Sequence, residues 1–402
     1  MNSSELRSSL SLSGIFALRM LGLFLILPIF SLHARGLPNG DNATLVGLTI
    51  GIYGMVQAFF HIPLGILSDR VGRRVVVIAG LSLFVLGAII AASHDDLYWI
   101  LAGRAIQGAG AISAAITAWV ADLTREEMRT RAMALIGGSI AISFAISIVI
   151  ASPLYQSLGM PGIFWMMALL GVAAILVAWK IVPTAPMVKM AQPEGTTSNL
   201  SRFIKVLKDP ELFRLNIGVL ILHTSQVAIF IAIPKMLVAE DLPLEQHWRV
   251  YLSVLIGSII FMAPMLIKAE KKNRLALLLK VSVVFMLIAQ TYFGVIIFGH
   301  YQNIWTICFG LFLFFIGFNL LESLQPSLVS RLSGDNRGAG LGIYNTTMSI
   351  GLFLGGALGG AIYGNFGTLG IFELDALLLL AWLIIAARMS ELPPKIKLKN
   401  QI

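Results

Sequence analysis

Gly65-Ile66-Leu67-Ser68-Asp69-Arg70-Val71-Gly72-Arg73-Arg74 packs an acid and three arginines into one short loop between two long apolar runs. Charge that dense, at the point where hydrocarbon would begin, marks a tight connection between two membrane-crossing helices. Working outward, 57% of the 402 residues are hydrophobic and only 12% are charged. The mean hydropathy is +0.86, whereas about a quarter of the residues in a soluble domain carry charge. Apolar stretches of about 20 residues, the length that crosses hydrocarbon as a helix, recur along the chain. Twelve are read, at 13–33, 44–67, 75–94, 98–122, 132–156, 161–183, 211–238, 248–267, 275–298, 303–330, 338–364 and 370–390. The first follows a polar stretch and lacks a small-residue cleavage site, so it reads as a retained span. The single cysteine, Cys308, excludes an intrachain disulfide.

A net charge of +9 could suggest nucleic acid, but the distribution of the charge points to lipid instead. Arg7, Arg70, Arg73, Arg74, Arg125, Arg129, Arg131, Lys189, Arg202, Lys205, Lys208, Lys268, Lys271, Lys272, Arg274, Arg331, Arg337, Arg388, Lys395, Lys397 and Lys399 fall at the N-terminus, in even-numbered loops or in the C-terminal tail. Odd-numbered loops hold only Arg35, Lys235 and Arg249. Basic residues accumulate on the cytoplasmic side, which puts both termini there, as an even number of spans requires. The polar break carrying Pro186, Pro193 and Gly195 separates the chain into 1–183, a linker at 184–210, 211–392 and a tail at 393–402. The halves echo each other. Thr130 to Gly137 enters the fifth span much as Arg337 to Tyr344 enters the eleventh, and Glu270 to Arg274 stands where Asp69 to Arg74 stands in the first half. A repeated six-helix unit suits a transporter, because rocking one half against the other exposes a midplane site to alternate sides.

The loop pattern Gly65, Asp69, Arg70, Gly72, Arg73, Arg74, with Arg104, Gln107, Gly108 and Gly110 in the fourth span, resembles the major facilitator superfamily over essentially the full chain. The resemblance implies an all-α membrane fold of two pseudo-symmetric six-helix bundles, a monomer in a bacterial inner membrane, and a secondary transporter of the drug:proton antiporter kind without a cofactor. The antiporter pattern of the fifth helix departs from the family form, reading Ala151-Ser152-Pro153-Leu154-Tyr155-Gln156. Some members carry a soluble domain after the last span; none is expected here, where about a dozen residues follow it.

In the loop, Gly65 and Gly72 remove side chains where helices crowd. Asp69 is expected to face the positive N-terminus of the eleventh span at Gly338, holding the halves together on the cytoplasmic side. The family resemblance adds a cluster of Arg73 with the acid Asp122; for Arg70 and Arg74 a purely topological role is the alternative.

Within the spans charge is scarce, since an arginine at a span centre costs about 2.5–3.5 kcal/mol on insertion scales. Arg19 and Arg104 are therefore candidates for a cavity or for fixing helix packing. Proton coupling needs a titratable group with alternating partners. Glu322 is the best carboxylate for that role, with His61 and His223 as further candidates; Glu373 and Asp375 are placed near the outer start of the last span, as interfacial groups. Gln57, Gln107, Gln226, Asn319 and Asn345 join a candidate pathway, with helix-to-helix hydrogen bonding as their alternative role.

There is no His-Glu-x-x-His, no phosphate-binding loop and no nucleophile elbow, so neither an enzyme nor an ATP-driven pump is indicated and no metal is called for. The expected function is proton-coupled efflux of hydrophobic or amphiphilic small molecules, with protons, substrate and the bilayer as partners. The alternatives are uptake or facilitated diffusion of a small metabolite, and a non-transporting membrane sensor.

Overall fold

A computed structural model describes residues 1–184 and 199–391. The expected tail at 393–402 lies outside them, and so does most of the expected linker, Lys189 included. The described residues form helices and short turns, with no strand among them. In chain order the helices are α1 (Ser3–Leu25), α2 (Leu27–His33), α3 (Ala43–Val71), α4 (Arg73–Ala92), α5 (Leu97–Ala109), α6 (Ser113–Asp122), α7 (Glu126–Lys180), α8 (Asn199–Lys208), α9 (Pro210–Ala239), α10 (His247–Lys271), α11 (Leu275–Phe298), α12 (Ile304–Leu332) and α13 (Arg337–Ala387).

Among the described residues, 10 helical runs are long and apolar enough to cross a membrane. Two of them, 131–180 and 338–387, have 50 residues each. At 1.5 Å per residue that is about 75 Å, more than twice the ~30 Å of hydrocarbon. Each is broken at one glycine with positive φ, Gly159 (φ 63°) and Gly367 (φ 66°). The sequence suggests multi-residue loops at these two places; the structure turns the chain at a single residue that lacks a Cβ. Elsewhere the apolar runs and the helices agree to within a few residues, except that α1 starts ten residues early. Its N-terminus carries a capping box in which Asn2 and Glu5 each accept the other's backbone N–H.

Packing follows two sets. Helices α1 and α4 to α7 contact chiefly one another and α3, and α9 to α13 contact chiefly one another; between the sets α3 packs on α13 at least as fully as on its own set, α7 lies on α10 and α2 on α9. The α3–α13 contact brings the two backbones close together. A Cβ on Gly51 would come within 2.6 Å of the Phe353 carbonyl oxygen, and one on Gly356 within 2.7 Å of the Gly51 nitrogen. Gly47 meets Gly356 and Gly360, and Gly54 meets Ser349, in the same manner. Lipid supplies no hydrophobic drive for helices to associate, so close van der Waals contact of small residues holds them together.

The antiparallel register of those glycine contacts, continued residue by residue, brings Asp69 level with Gly338. The helices do not stay in contact that far. A Cβ on Gly338 or Gly342 would meet nothing within 4 Å, and one on Gly65 would touch Ala114 of its own set. Ile66 (47% exposed) and Val71 (42%) lie open on α3. So α3 and α13 are zipped together at the end bearing Ala43 and Gly360 and parted at the arginine-rich end.

Candidate functional site

Where the zipped part of α3 and α13 ends, a polar seam runs from one helix set to the other. Arg19 on α1 is buried (2% exposed) and donates through Nη2 to Gln57 Oε1 at 3.1 Å and through Nη1 to Ser113 Oγ at 3.3 Å. Gln57 Nε2 lies 3.0 Å from His61 Nε2 and donates to Ser349 Oγ on α13 at 3.1 Å. His61 Nε2 is 3.2 Å from the same serine oxygen, whose hydroxyl in turn donates to the Asn345 carbonyl at 2.9 Å. Gln57 and His61 stand four residues apart on α3, one above the other on a single face.

Arg104 on α5 is fully buried, and its Nη1 donates to Gln107 Oε1 at 3.1 Å. Both guanidinium carbons lie over the Tyr53 ring, Arg104 at 4.8 Å and Arg19 at 5.5 Å from the centroid. The π face supplies part of what a carboxylate otherwise would. Among the described residues, Arg104 Nε and Nη2, Arg19 Nε and the Tyr53 hydroxyl have no hydrogen-bond partner. Two buried cations thus share a ring and have a glutamine each, with no acid in ion-pair contact among the described residues.

The second centre is in the other helix set. His223 Nε2 on α9 is 3.6 Å from Glu322 Oε2 on α12, within ion-pair reach and just beyond a hydrogen bond. The other ring nitrogen, Nδ1, lies 3.1 Å from the Val219 carbonyl, which fixes the ring. The Glu322 side chain retains 21% exposure while His223 has 2%, so the carboxylate side chain is partly open and the imidazole is enclosed. Beside it Phe318 approaches His223 (6.4 Å between centroids) and Phe144 of α7 (5.3 Å). Phe144 also meets Phe230 and Phe315. These rings from both sets form an apolar wall next to the carboxylate.

Asp375 is a correction to the sequence reading. It is not interfacial but fully buried, and its Oδ2 accepts from Gln290 Nε2 of α11 at 3.2 Å. Period-based placement measures depth from the nearest loop; here the turn is the single residue Gly367, so eight residues later the chain is already among its neighbours. Glu373 is exposed, as expected.

At the arginine-rich end, Arg73 sits between two acids. It pairs with Asp69, four residues before it, and with Asp122 Oδ2 at 2.9 Å, while its Nη1 donates to Ser68 Oγ at 2.7 Å. Gly72 (φ 100°) makes the turn that returns Arg73 toward Asp69. Arg74 donates to the Val182 carbonyl. Arg70 is exposed, and among the described residues Asp69 pairs with Arg73 and makes no hydrogen bond with Gly338.

The structure therefore gathers Arg19, His61, Arg104 and Gln107 into one seam and its flank, places Asn345 one turn from Ser349, and keeps His223 with Glu322 as a separate pair. The sequence did not point to Ser349 or Tyr53. A serine in a glycine-rich helix and a tyrosine in an apolar one carry no pattern that marks them.

The Major Facilitator Superfamily sequence model matches residues 12–318 and 256–401. The inner membrane transport protein YajR of Escherichia coli (strain K12) is 38% identical, over 100% of this chain and 87% of that protein. The multidrug resistance protein MdtL of Escherichia coli O81 is 25% identical over 52% of each chain. Among solved structures, the human organic anion transporter MFSD10 superposes with a TM-score of 0.69 at 16% identity, covering 96% of this chain and 100% of that one.

Proposed function

The chain belongs to the major facilitator superfamily and is a multi-pass membrane transporter; from that premise we propose that it exports hydrophobic or amphiphilic small molecules across a bacterial inner membrane in exchange for protons. The observation that carries this reading is the His223–Glu322 pair beside the Phe144–Phe318 wall. A partly exposed carboxylate within the spans is costly to keep unless it is used. Its histidine partner and its partly open side chain suit a site that exchanges a proton as substrate arrives on the aromatic wall. The similarity to MdtL, named for multidrug resistance, supports the efflux direction.

Dividing the two 50-residue runs at Gly159 and Gly367 gives twelve crossings in two six-helix bundles. With the arginine-rich end cytoplasmic, as the charge bias requires, the zipped α3–α13 contact closes the outer side and the parted end opens inward. Asp69 and Gly338, level in register, then meet when the inner side closes. Arg73, gripping Asp69 and Asp122, holds α3 against α6 so that the first bundle moves as one body. The polar seam Arg19–Gln57–His61–Ser349 links the bundles in the present state and breaks as the outer side opens.

The test is internal pH in proteoliposomes holding wild type or Glu322→Gln, with a panel of lipophilic compounds added with and without an imposed proton gradient. Compound-triggered proton movement that disappears in Glu322→Gln is expected. Compound flux with no proton movement in either protein overturns the coupling and leaves a facilitator.

A further inference from the structure

Three basic residues stand on the side of the membrane where the charge bias disfavours them, Arg35, Lys235 and Arg249. Arg249 is accounted for locally, with its Nη1 on Gln246 Oε1 at 3.2 Å and its guanidinium over Trp248. The other two come from opposite helix sets and line one cavity of about 330 Å³, together with Gln302, Tyr363 and Thr368. Arg35 is in the turn Ala34–Gly36 that follows α2, and Lys235 is on α9. The cavity adjoins the zipped end of α3 and α13, since Gly364, one residue from Tyr363, lies against Ala43.

Among the described residues, neither cation has a carboxylate in ion-pair contact. Lys235 Nζ stands 3.4 Å from the Tyr363 ring centroid, a cation–π contact on one side only. Glu240, next in the chain to Ala239 of the lining, has its Oε1 taken by Gln302 Nε2 at 2.9 Å. The two positive groups repel each other across the boundary between the bundles, and this repulsion pushes against the closure the glycines make. A cavity that brings like charges together at a closing interface, with a neutral hydroxyl and an amide beside them, has the donor set of an oxyanion site.

We infer that this cavity binds a phosphate-type oxyanion, bridging Arg35 of the first bundle and Lys235 of the second, and that the bound anion favours the state in which this end is closed. The bridge exists only while the two bundles meet here, so its affinity for the closed state exceeds that for the open one, and the population shifts accordingly. The ligand chemistry has two sources, a free phosphate or the headgroup phosphate of a lipid. The inference rests on the two-bundle reading above but not on proton coupling or on any substrate, and its test reads conformation rather than transport.

Spin labels at His94→Cys and His300→Cys in a Cys308→Ser background report the separation of the two bundles at this end. In phosphate-free maltoside micelles, inorganic phosphate titrated at constant ionic strength is expected to move the distance distribution toward the shorter, closed population. Arg35→Gln and Lys235→Met should each weaken that response about tenfold or more, as loss of a charge-assisted contact does, while Lys235→Arg retains it. A second titration with phosphatidylglycerol in place of phosphate identifies the source: response to the lipid alone assigns a headgroup site, and response to phosphate alone assigns a soluble anion. No response to either, an equal response to matched chloride, or an undiminished response in both charge-removing variants overturns the inference. Lys235→Arg checks that a lost response is not lost folding, because it keeps the charge while changing the side chain.

Discussion

His61 on α3 and Ser349 on α13 lie 3.2 Å apart, Nε2 to Oγ, and with Gln57 they make the hydrogen-bonded crossing between the two helix sets at the polar seam. The crossing sits just beyond the last tight glycine contact, that of Gly54 with Ser349. A tight apolar zipper thus ends in a polar clasp, and the clasp is the part that can be exchanged without leaving a void.

Replacing Ser349 by Ala removes the shared oxygen and leaves Gln57 Nε2 without its acceptor on α13. A buried hydrogen bond lost this way costs about 1 kcal/mol, which raises the population with the outer end open about fivefold. Reactivity of a reporter cysteine at Thr49, now 1% exposed, should rise by that factor, and an unchanged rate would remove the clasp from the account.

Gly356→Val is expected to act more strongly. The added atoms meet the Gly51 backbone, which cannot yield as a flexible side chain would, and overpacking of this kind costs about 1–3 kcal/mol. Because the strain exists only in the zipped state, the variant should remain folded and favour the opposite conformation. Gly342→Val, with open space at its Cβ, should leave the distribution unaltered, and spin-label distances across the outer end compare the two.

Arg73→Gln and Arg70→Gln separate the gripping arginine from the anchoring one. Both lie near water, so the loss of the Arg73 ion pairs changes stability by only about 0.2–1 kcal/mol each, and melting temperatures should barely distinguish the variants. Transport should. Arg73→Gln frees Asp69 and Asp122 from their common partner and is expected to slow transport severalfold, while Arg70→Gln transports at the wild-type rate.

Gln290→Leu strips Asp375 of the amide that donates to it at 3.2 Å. Leaving a buried polar group unsatisfied costs about 1–3 kcal/mol, whereas removing both partners is nearly neutral. Thermal unfolding in detergent should show Gln290→Leu destabilised and the double variant Gln290→Leu/Asp375→Leu restored toward wild type. Equal destabilisation in the two would mean that the contact contributes little.

His223→Ala takes from Glu322 its ion-pair partner among the described residues. If that pair is the proton site, substrate-triggered proton movement in proteoliposomes should fall about tenfold with compound binding retained. Loss of binding and proton movement together would instead make His223 a substrate contact.

Fold class was legible because lipid imposes a coarse rule: runs of about 20 apolar residues and charge confined to one set of loops survive any detail of packing. The motif at Asp69 to Arg74 was legible for the same reason, its residues being local to one turn. What could not be read was depth and partnership. Asp375 looked peripheral because nothing in the sequence shows that Gly367 alone turns the chain. Arg19 and Arg104 could be singled out by their cost, but Tyr53, the ring between them, is ordinary in its own helix. Ser349 meets its partners across a sequence separation of 292 residues for Gln57, and no periodicity within one helix reports a contact of that kind.

The glycine register between α3 and α13 also bears on which genetic changes the chain tolerates. An α-helix advances about 100° per residue, so one inserted or deleted residue between Gly47 and Gly54 would rotate everything after it by that angle, turning Gln57 and His61 away from Ser349 and presenting bulky faces where bare backbones now touch. Three or four inserted residues would nearly restore the facing side yet shift the partner by a full turn, setting Asp69 past Gly338. The two segments are thus tied in length to each other across nearly three hundred residues of sequence, and natural length variation belongs in the loops and the linker rather than in these helices.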